Sequence, residues 1–453
     1  FMTLIFFRMV EHMKQIKKIK GVNLGGWLVL EKWIDEMPFK NTYAEDETWL
    51  ARELNQNELK ERLTKHRETF ITEKDFKIIS GKYGLNMVRI PVPYFIFGDR
   101  KPFIGCVEYL DKAFDWAKKY KLKIIIDLHT APFGQNGYDN GGIMGVCKFH
   151  KNPKEVSFVI SVLRRLAKRY GKRKALFGIE VLNEPIGQLA FATSPTKNRA
   201  KDKKEAYGSS GIPISFLKRF YINAYKAIRE YMPVSKAVIF HDGFRLEAWR
   251  DFFVSNNMKN VYLDSHFYLS AMESFIPFHN KQFLSVINIL NPFKCVNKYD
   301  KTKSNDDYMQ SVSNIIPYKS MIYHKIYIAI EKLRIKLASI YTPLIIGEWC
   351  ISVSYANDAI YFCRDRVNHI LGTNYSERKF LIAYENNESV RRLVNKEKRK
   401  RYRQIYKLQT DAWNISAGNI YWNYKIANDN NHPTNMHWKN AWDYRRCKKN
   451  GWI

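Results

Sequence analysis

Short apolar, β-branched runs recur along the chain. Between them lie longer stretches whose apolar residues return at every third or fourth position. The runs predict strands over Lys18–Val22, Asn86–Pro91, Leu122–Asp127, Phe177–Leu182, Lys236–Phe240, Asn260–Asp264, Pro343–Ile346 and Gly418–Tyr421. The stretches predict helices. In Val107–Lys119 the stripe is Val107, Leu110, Ala113, Phe114 and Ala117. In Glu155–Tyr170 it is Val156, Val159, Ile160, Leu163, Leu166 and Ala167, stopped by Gly171. Ser215 is placed to cap a third helix that runs to Tyr231, before Pro233. Eight strands alternating with helices predict an α/β fold, a (β/α)8 TIM barrel.

A bare barrel of this kind needs ~250 residues, and the chain has 453. The excess is expected as long insertions in the loops after strands 4, 6 and 7, at residues 186–214, 269–342 and 349–417. Residues 1–17 read as an N-terminal extension, and 18–453 as one barrel domain. At 45% hydrophobic and 26% charged, with few Gly and Pro, the composition excludes a disordered or fibrous chain.

The net charge of +31 suggests two uses. One is solubility from a Lys-rich surface, and the other is attraction to an anionic surface through the basic insertions. The runs at 197–204 and 396–403 read as solvated loop or helix faces. No zinc spacing, phosphate loop or recognition module accompanies the charge, so no specific nucleic-acid partner is expected. Cys106, Cys147, Cys295, Cys350, Cys363 and Cys447 are scattered without a CxxC pair. That argues against a metal site and suits a reducing, cytoplasmic compartment. The apolar start is broken by Arg8 and lacks a signal-peptide core. Residue 1 is Phe rather than Met, so further sequence, including a secretion signal, is a standing alternative. No run approaches the ~18 apolar residues of a membrane span.

Ionisable residues gather where the strands end, the face on which barrels of this type carry their sites. Arg89 closes strand 2, His129 follows strand 3, Asn183 and Glu184 close strand 4, His266 and Tyr268 follow strand 6, Glu348 ends strand 7 and Trp422 ends strand 8. Two glutamates after apolar strands are the most telling, because a buried carboxylate without a partner is costly. Opposed in one cleft, such a pair can cleave a glycosidic bond. One donates a proton to the leaving oxygen while the other attacks the anomeric carbon. Arg89 can hold the nucleophile ionised, Tyr268 can orient it, and Asn183 can bond the sugar 2-hydroxyl. Trp422 offers a flat face for a pyranose ring.

The motifs GVNLGGWLVLEKWI (21–34), HRETFITEKDF (66–76), GLNMVRIPVPY (84–94) and DLHTAPFGQNGYDNGG (127–142) resemble glycoside hydrolase family 5. VLNEP (181–185), LDSHFY (263–268), IIGEW (345–349), IYWNYK (420–425) and WDYRRCKKNG (442–451) continue the likeness in family order. It is strongest to the exo-β-1,3-glucanase branch. The resemblance implies a retaining hydrolase that needs no cofactor and no metal, with Glu184 as acid/base and Glu348 as nucleophile. Arg89, His129, Asn183, His266, Tyr268 and Trp422 match the usual companions, and Glu31 matches a residue that contacts the terminal sugar. The implied partner is a β-glucan or β-glucoside, cleaved from its end in a pocket closed by Glu31 and the loop Gln135–Asn140. A transglycosylase, a glycolipid-directed β-glucosidase and a carbohydrate binder without turnover are the alternatives. Thr130, Phe133 and Tyr424 depart from the branch pattern and bear on the substrate.

Overall fold

The computed structural model describes residues 18–194, 196–271, 317–357, 359–427 and 437–453. Eight parallel strands close into a barrel in sequence order. They are β1 Ile19–Asn23, β2 Met87–Val92, β3 Lys123–Leu128, β4 Leu176–Glu180, β5 Ala237–His241, β6 Val261–His266, β7 Leu344–Trp349 and β8 Gly418–Tyr421. Each coincides with an expected strand to within a few residues. β8 returns to β1 by pairing Gly418 with Ile19 and Tyr421 with Val22.

Side chains of period two on each strand fill the barrel. Ile19, Met87, Ile125, Ala237, Ile239, Tyr262, Ile345 and Ile420 form one buried apolar cluster towards the strands' N-terminal ends. Helices cover the outside, the three expected ones and one more, Gln56–Thr69. α1 Gln56–Thr69 precedes β2, α2 Val107–Lys119 precedes β3, α3 Pro153–Tyr170 precedes β4 and α4 Ile214–Arg229 precedes β5. α3 starts earlier than its apolar stripe because Pro153 occupies the first turn, where no N–H is missed. α4 is not capped by Ser215, which falls inside the helix. Pro213 stands at the N-cap in an extended conformation, and the helix follows directly.

The connection after β1, residues 24–86, is also long. It buries its own cluster of Leu30, Phe39, Ala44, Leu50, Ala51, Leu59 and Leu63. Its helical periodicity resembles that of the barrel helices, which hid the extra length from a reading of pattern alone.

By Cα packing the chain groups into two compact units. The first holds the barrel: residues 1–266, 333–349 and 413–428. The second comprises 267–332, 350–412 and 429–453. Within it, Ile360, Cys363, Val367, Phe380, Ala383, Val390 and Val394 form a helical core. The basic run 396–403 lies on α5 Glu388–Trp413 and is more than a solvated face. Arg399 and Arg403 donate to the carbonyls of Asn450 and Gly451, and Lys398 and Arg401 are buried. The extension 1–17, Cys295 and the insertion between 272 and 316 lie outside the described residues. No described helix is long and apolar enough to cross a membrane.

Candidate active site

The same period of two that buries the apolar cluster places a polar layer above it. Further along the inward face, Ile19 leads through Gly21 to Asn23, and one step leads from Met87 to Arg89, Ile125 to Asp127, Ile239 to His241 and Tyr262 to Asp264. Glu180 ends β4 on that face, opposite Asp127 across the ladder. All of these polar side chains are buried. Every charge in the layer must therefore find a partner within it.

Arg89 is the hub. Its Nε and Nη2 donate to the two carboxylate oxygens of Glu180 at 2.7 and 2.9 Å. Nη2 also donates to Asn183 Oδ1 at 2.9 Å, and Nη1 to Asn23 Oδ1 at 3.1 Å and Glu348 Oε1 at 2.7 Å. Asp127 stands 3.1 Å away. Burial pushes Glu180 up to about 8 against the pull of Arg89, and Asp127 up to about 7. The two-pronged geometry nevertheless requires both Glu180 oxygens as acceptors, so Glu180 is the carboxylate here.

Glu348 reaches the layer through an irregularity. The β6–β7 pairing steps from Ser265–Ile346 to His266–Glu348, skipping Gly347, and β7–β8 shifts at the same place. The extra residue turns Glu348 inward, where strict alternation would aim it out. Glu184 sits just past β4 with a left-handed backbone, φ 43°. Such strain in a non-glycine residue is typical of functional turns.

His266 joins the two glutamates. Its Nδ1 lies 2.7 Å from Glu184 Oε1 and 3.4 Å from Glu348 Oε2, and its Nε2 lies 3.7 Å from Asp264. Burial disfavours the imidazolium, but the charges of Glu348 and Asp264 and the bond to Glu184 outweigh it. His266 is held well above the ordinary histidine range. For Glu184, burial is outweighed by the bond and charge of His266, which leave it below the usual range. Burial raises Glu348 despite His266 and Arg89. His266 is thus placed as the donor shared between the two glutamates.

His129 is neutral, lowered to about 3 by burial. Its Nδ1 donates to Asp127, while Nε2 faces Asn183 Nδ2 at 3.4 Å and stacks the ring parallel to Trp422. Trp422 in turn lies over Gly25, where a Cβ would come within 2.5 Å of the indole. Glu31 is buried and accepts from Trp33 Nε1, with Oε1 unpartnered among the described residues. Burial first, and then nearby Asp139, holds it well above the carboxylate range. Asn140 donates to Glu184 Oε2 at 3.2 Å. Gln135 braces the carbonyls of His129 and Asn183.

Among the described residues, two trios have donor atoms close enough for a metal: Glu184, His241 and His266, and Glu180, Asp264 and His266. The donor chemistry fits poorly. His266 belongs to both and is held as a cation. His241 Nδ1 accepts from Gly243 N–H, so its Nε2 carries the proton.

The family profile described as "Cellulase (glycosyl hydrolase family 5)" matches residues 44–318, more than half of the chain. The chain belongs to glycosyl hydrolase family 5. It is 36% identical over 270 residues to "Glucan 1,3-beta-glucosidase" of Schwanniomyces occidentalis, covering 56% of this chain and 57% of that protein. It is 28% identical over 476 residues to "Glucan 1,3-beta-glucosidase 2" of Candida albicans, covering 95% and 82%. The chain thus spans a little over half the length of the first of these relatives. In fold it is similar to the rutinosidase from Aspergillus niger, with a TM-score of 0.58, 19% identity and coverage of 96% and 97%.

In this family 5 barrel, Glu31, Arg89, His129, Asn183, Glu184, His266, Glu348 and Trp422 all lie in the first unit, in or beside the polar layer. Tyr268 falls in the second unit, where its ring tilts against Trp442 at 5.2 Å. Sequence reasoning missed Asn23, Asp127, Glu180, His241 and Asp264. The signal was present: each is an ionisable or amide residue inside an apolar strand, the same oddity that singled out Glu184 and Glu348. Of the departures from the branch pattern, Tyr424 is buried and donates to Asp75 at 2.9 Å, a bracing contact. Phe133 has φ 61° and is partly exposed.

Proposed function

We propose that this family 5 chain is a retaining β-glycoside hydrolase that releases terminal glucose from β-1,3-glucans or β-glucosides. The observation that carries the reading is His266 bridging Glu184 and Glu348, with Arg89 bonded to Glu348 from the other side. The two His266 distances, 2.7 and 3.4 Å, gather both carboxyl groups around one imidazole, the close pairing that a nucleophile and an acid/base need. The relatives' names support the substrate class.

In the first step the Glu348 carboxylate attacks the anomeric carbon. The bond to the leaving oxygen breaks as Glu184, supplied with its proton through the His266 bond, protonates that oxygen. In the second step Glu184 takes a proton from water, whose oxygen attacks the same carbon and frees Glu348. Sugar leaves with its original configuration, Glu348 is free again, and the proton taken up by Glu184 passes back across the bond to His266. Asn183 Nδ2, with its amide oriented by Arg89, faces the sugar 2-hydroxyl. Trp422 underlies the ring, and the neutral Glu31 donates to an outer hydroxyl. The polar floor formed by Glu31 and the Gln135–Asn140 loop favours a chain end over a chain middle.

Assays on laminarin, cellulose, mannan and an aryl β-glucoside test the reading. Laminarin and the aryl glucoside should be cleaved, with glucose the first product. Early oligosaccharides of mixed length contradict exo action, and binding without cleavage of any substrate contradicts the enzyme. The high positive charge serves association with an anionic surface rather than the pocket. Turnover of the small neutral glucoside should accordingly depend only weakly on salt.

A further inference from the structure

Arg89 has five N–H groups, and each has an acceptor: two oxygens of Glu180, and one each of Asn183, Asn23 and Glu348. A guanidinium is planar, so fixing two of its edges fixes the direction of the remaining N–H groups. Glu180 takes Nε and one hydrogen of Nη2, and it is the only partner that grips two nitrogens. Asn183 then receives the second hydrogen of Nη2 on Oδ1. Its amide is thereby turned so that Nδ2 points away from Arg89, towards His129 Nε2 at 3.4 Å. Both the Arg89–Glu348 and the Arg89–Asn183 contacts depend on the plane that Glu180 sets.

We propose that Glu180 is a positioning residue that locks the Arg89 guanidinium and, through it, couples the nucleophile Glu348 to the 2-hydroxyl-binding amide of Asn183. The inference rests on the hydrolase reading above. It predicts more than a loss of activity, because a residue that merely supports the barrel would weaken turnover of every glucoside alike. Loss of the lock should instead make the enzyme less sensitive to the 2-hydroxyl itself.

The test compares an aryl β-glucoside with its 2-deoxy analogue in the wild type, in Glu180→Gln and in Glu180→Asp. Gln has the same shape but turns an amide NH2 against one Arg89 N–H, so one prong of the fork is lost whichever way it lies. Glu180→Gln should lower kcat on the aryl glucoside about 100-fold. It should also shrink the kcat ratio between glucoside and 2-deoxyglucoside by about fivefold or more. Glu180→Asp keeps both acceptor oxygens on a shorter stem and should fall between. If Glu180→Gln does not fold, the Asp variant carries the same comparison. An equal loss on both substrates, or no loss, overturns the inference while leaving the hydrolase reading intact. A wild type that cleaves neither glucoside overturns the reading and the inference with it.

Discussion

Asp264 occupies the space in which a side chain at position 347 would have to stand. A Cβ added to Gly347 would lie 1.9 Å from Asp264 Oδ2, and the Gly347 N–H donates to Asp264 Oδ1 at 2.7 Å. The carboxylate thus pins the residue skipped in the β6–β7 register, next to the one that turns Glu348 inward. Gly347→Ala should lower the unfolding free energy by about 3 kcal/mol or more, since neither the buried strand nor the carboxylate has room to move. Hydrolysis should fall steeply with it. Denaturant unfolding and initial rates check both, and a variant as stable as the wild type contradicts the packing described.

Glu47 gives a prediction away from the site. It is fully buried, accepts from Leu30 N–H at 3.1 Å, and is pushed by burial up to about 7. Folded, it keeps its proton to about pH 7. Unfolded, it ionises near the ordinary 4.5. Unfolding therefore releases a proton between these values, and stability declines as pH rises across that window. Glu47→Gln cannot ionise. The stability difference between wild type and variant should shift in favour of the variant, on the order of 2 kcal/mol, between pH 5 and 8. Urea titrations at the two pH values measure it, and a difference that does not change with pH contradicts the assignment.

The charge on His266 makes a third prediction. Burial favours protonation of Glu184, and His266 is what overrides it. His266→Gln keeps a hydrogen-bond donor without the charge, so the Glu184 carboxyl should titrate at higher pH than in the wild type. The variant should lose about 100-fold in kcat at neutral pH, the scale of a misdirected proton transfer. Carbon NMR of labelled glutamate, read against Glu184→Gln to identify the resonance, follows the shift. A downward movement contradicts the proton placement.

The barrel was legible because its strands are buried on both faces and its helices on one, so two hydrophobic periods alternate eight times. The helix of residues 107–119 was legible to its last residue, since its apolar stripe and its boundaries coincide. The supports of the site were less so. Glu180 and Asp264 look like single interruptions of apolar strands, and their meaning depends on Arg89 two or more strands away. The inward aim of Glu348 was hidden for a different reason. By strict alternation Ile345 and Gly347 share the inner face and Glu348 does not, and only the register shift reverses this. The length of the 24–86 connection was masked by helices of ordinary periodicity.

The central claim is that Glu348 forms a covalent bond to the sugar while Glu184 handles the protons. Incubation with an activated 2-deoxy-2-fluoro-β-glucoside, followed by mass spectrometry of the intact protein and of its peptides, tests it most directly. The fluorine slows both steps, and the activated leaving group restores the rate of the first alone, so the intermediate accumulates. The account predicts one fluoroglucosyl adduct per chain, carried by the peptide containing Glu348, and none in Glu348→Gln. Turnover of the ordinary glucoside without any adduct, or an adduct on another residue, would contradict it.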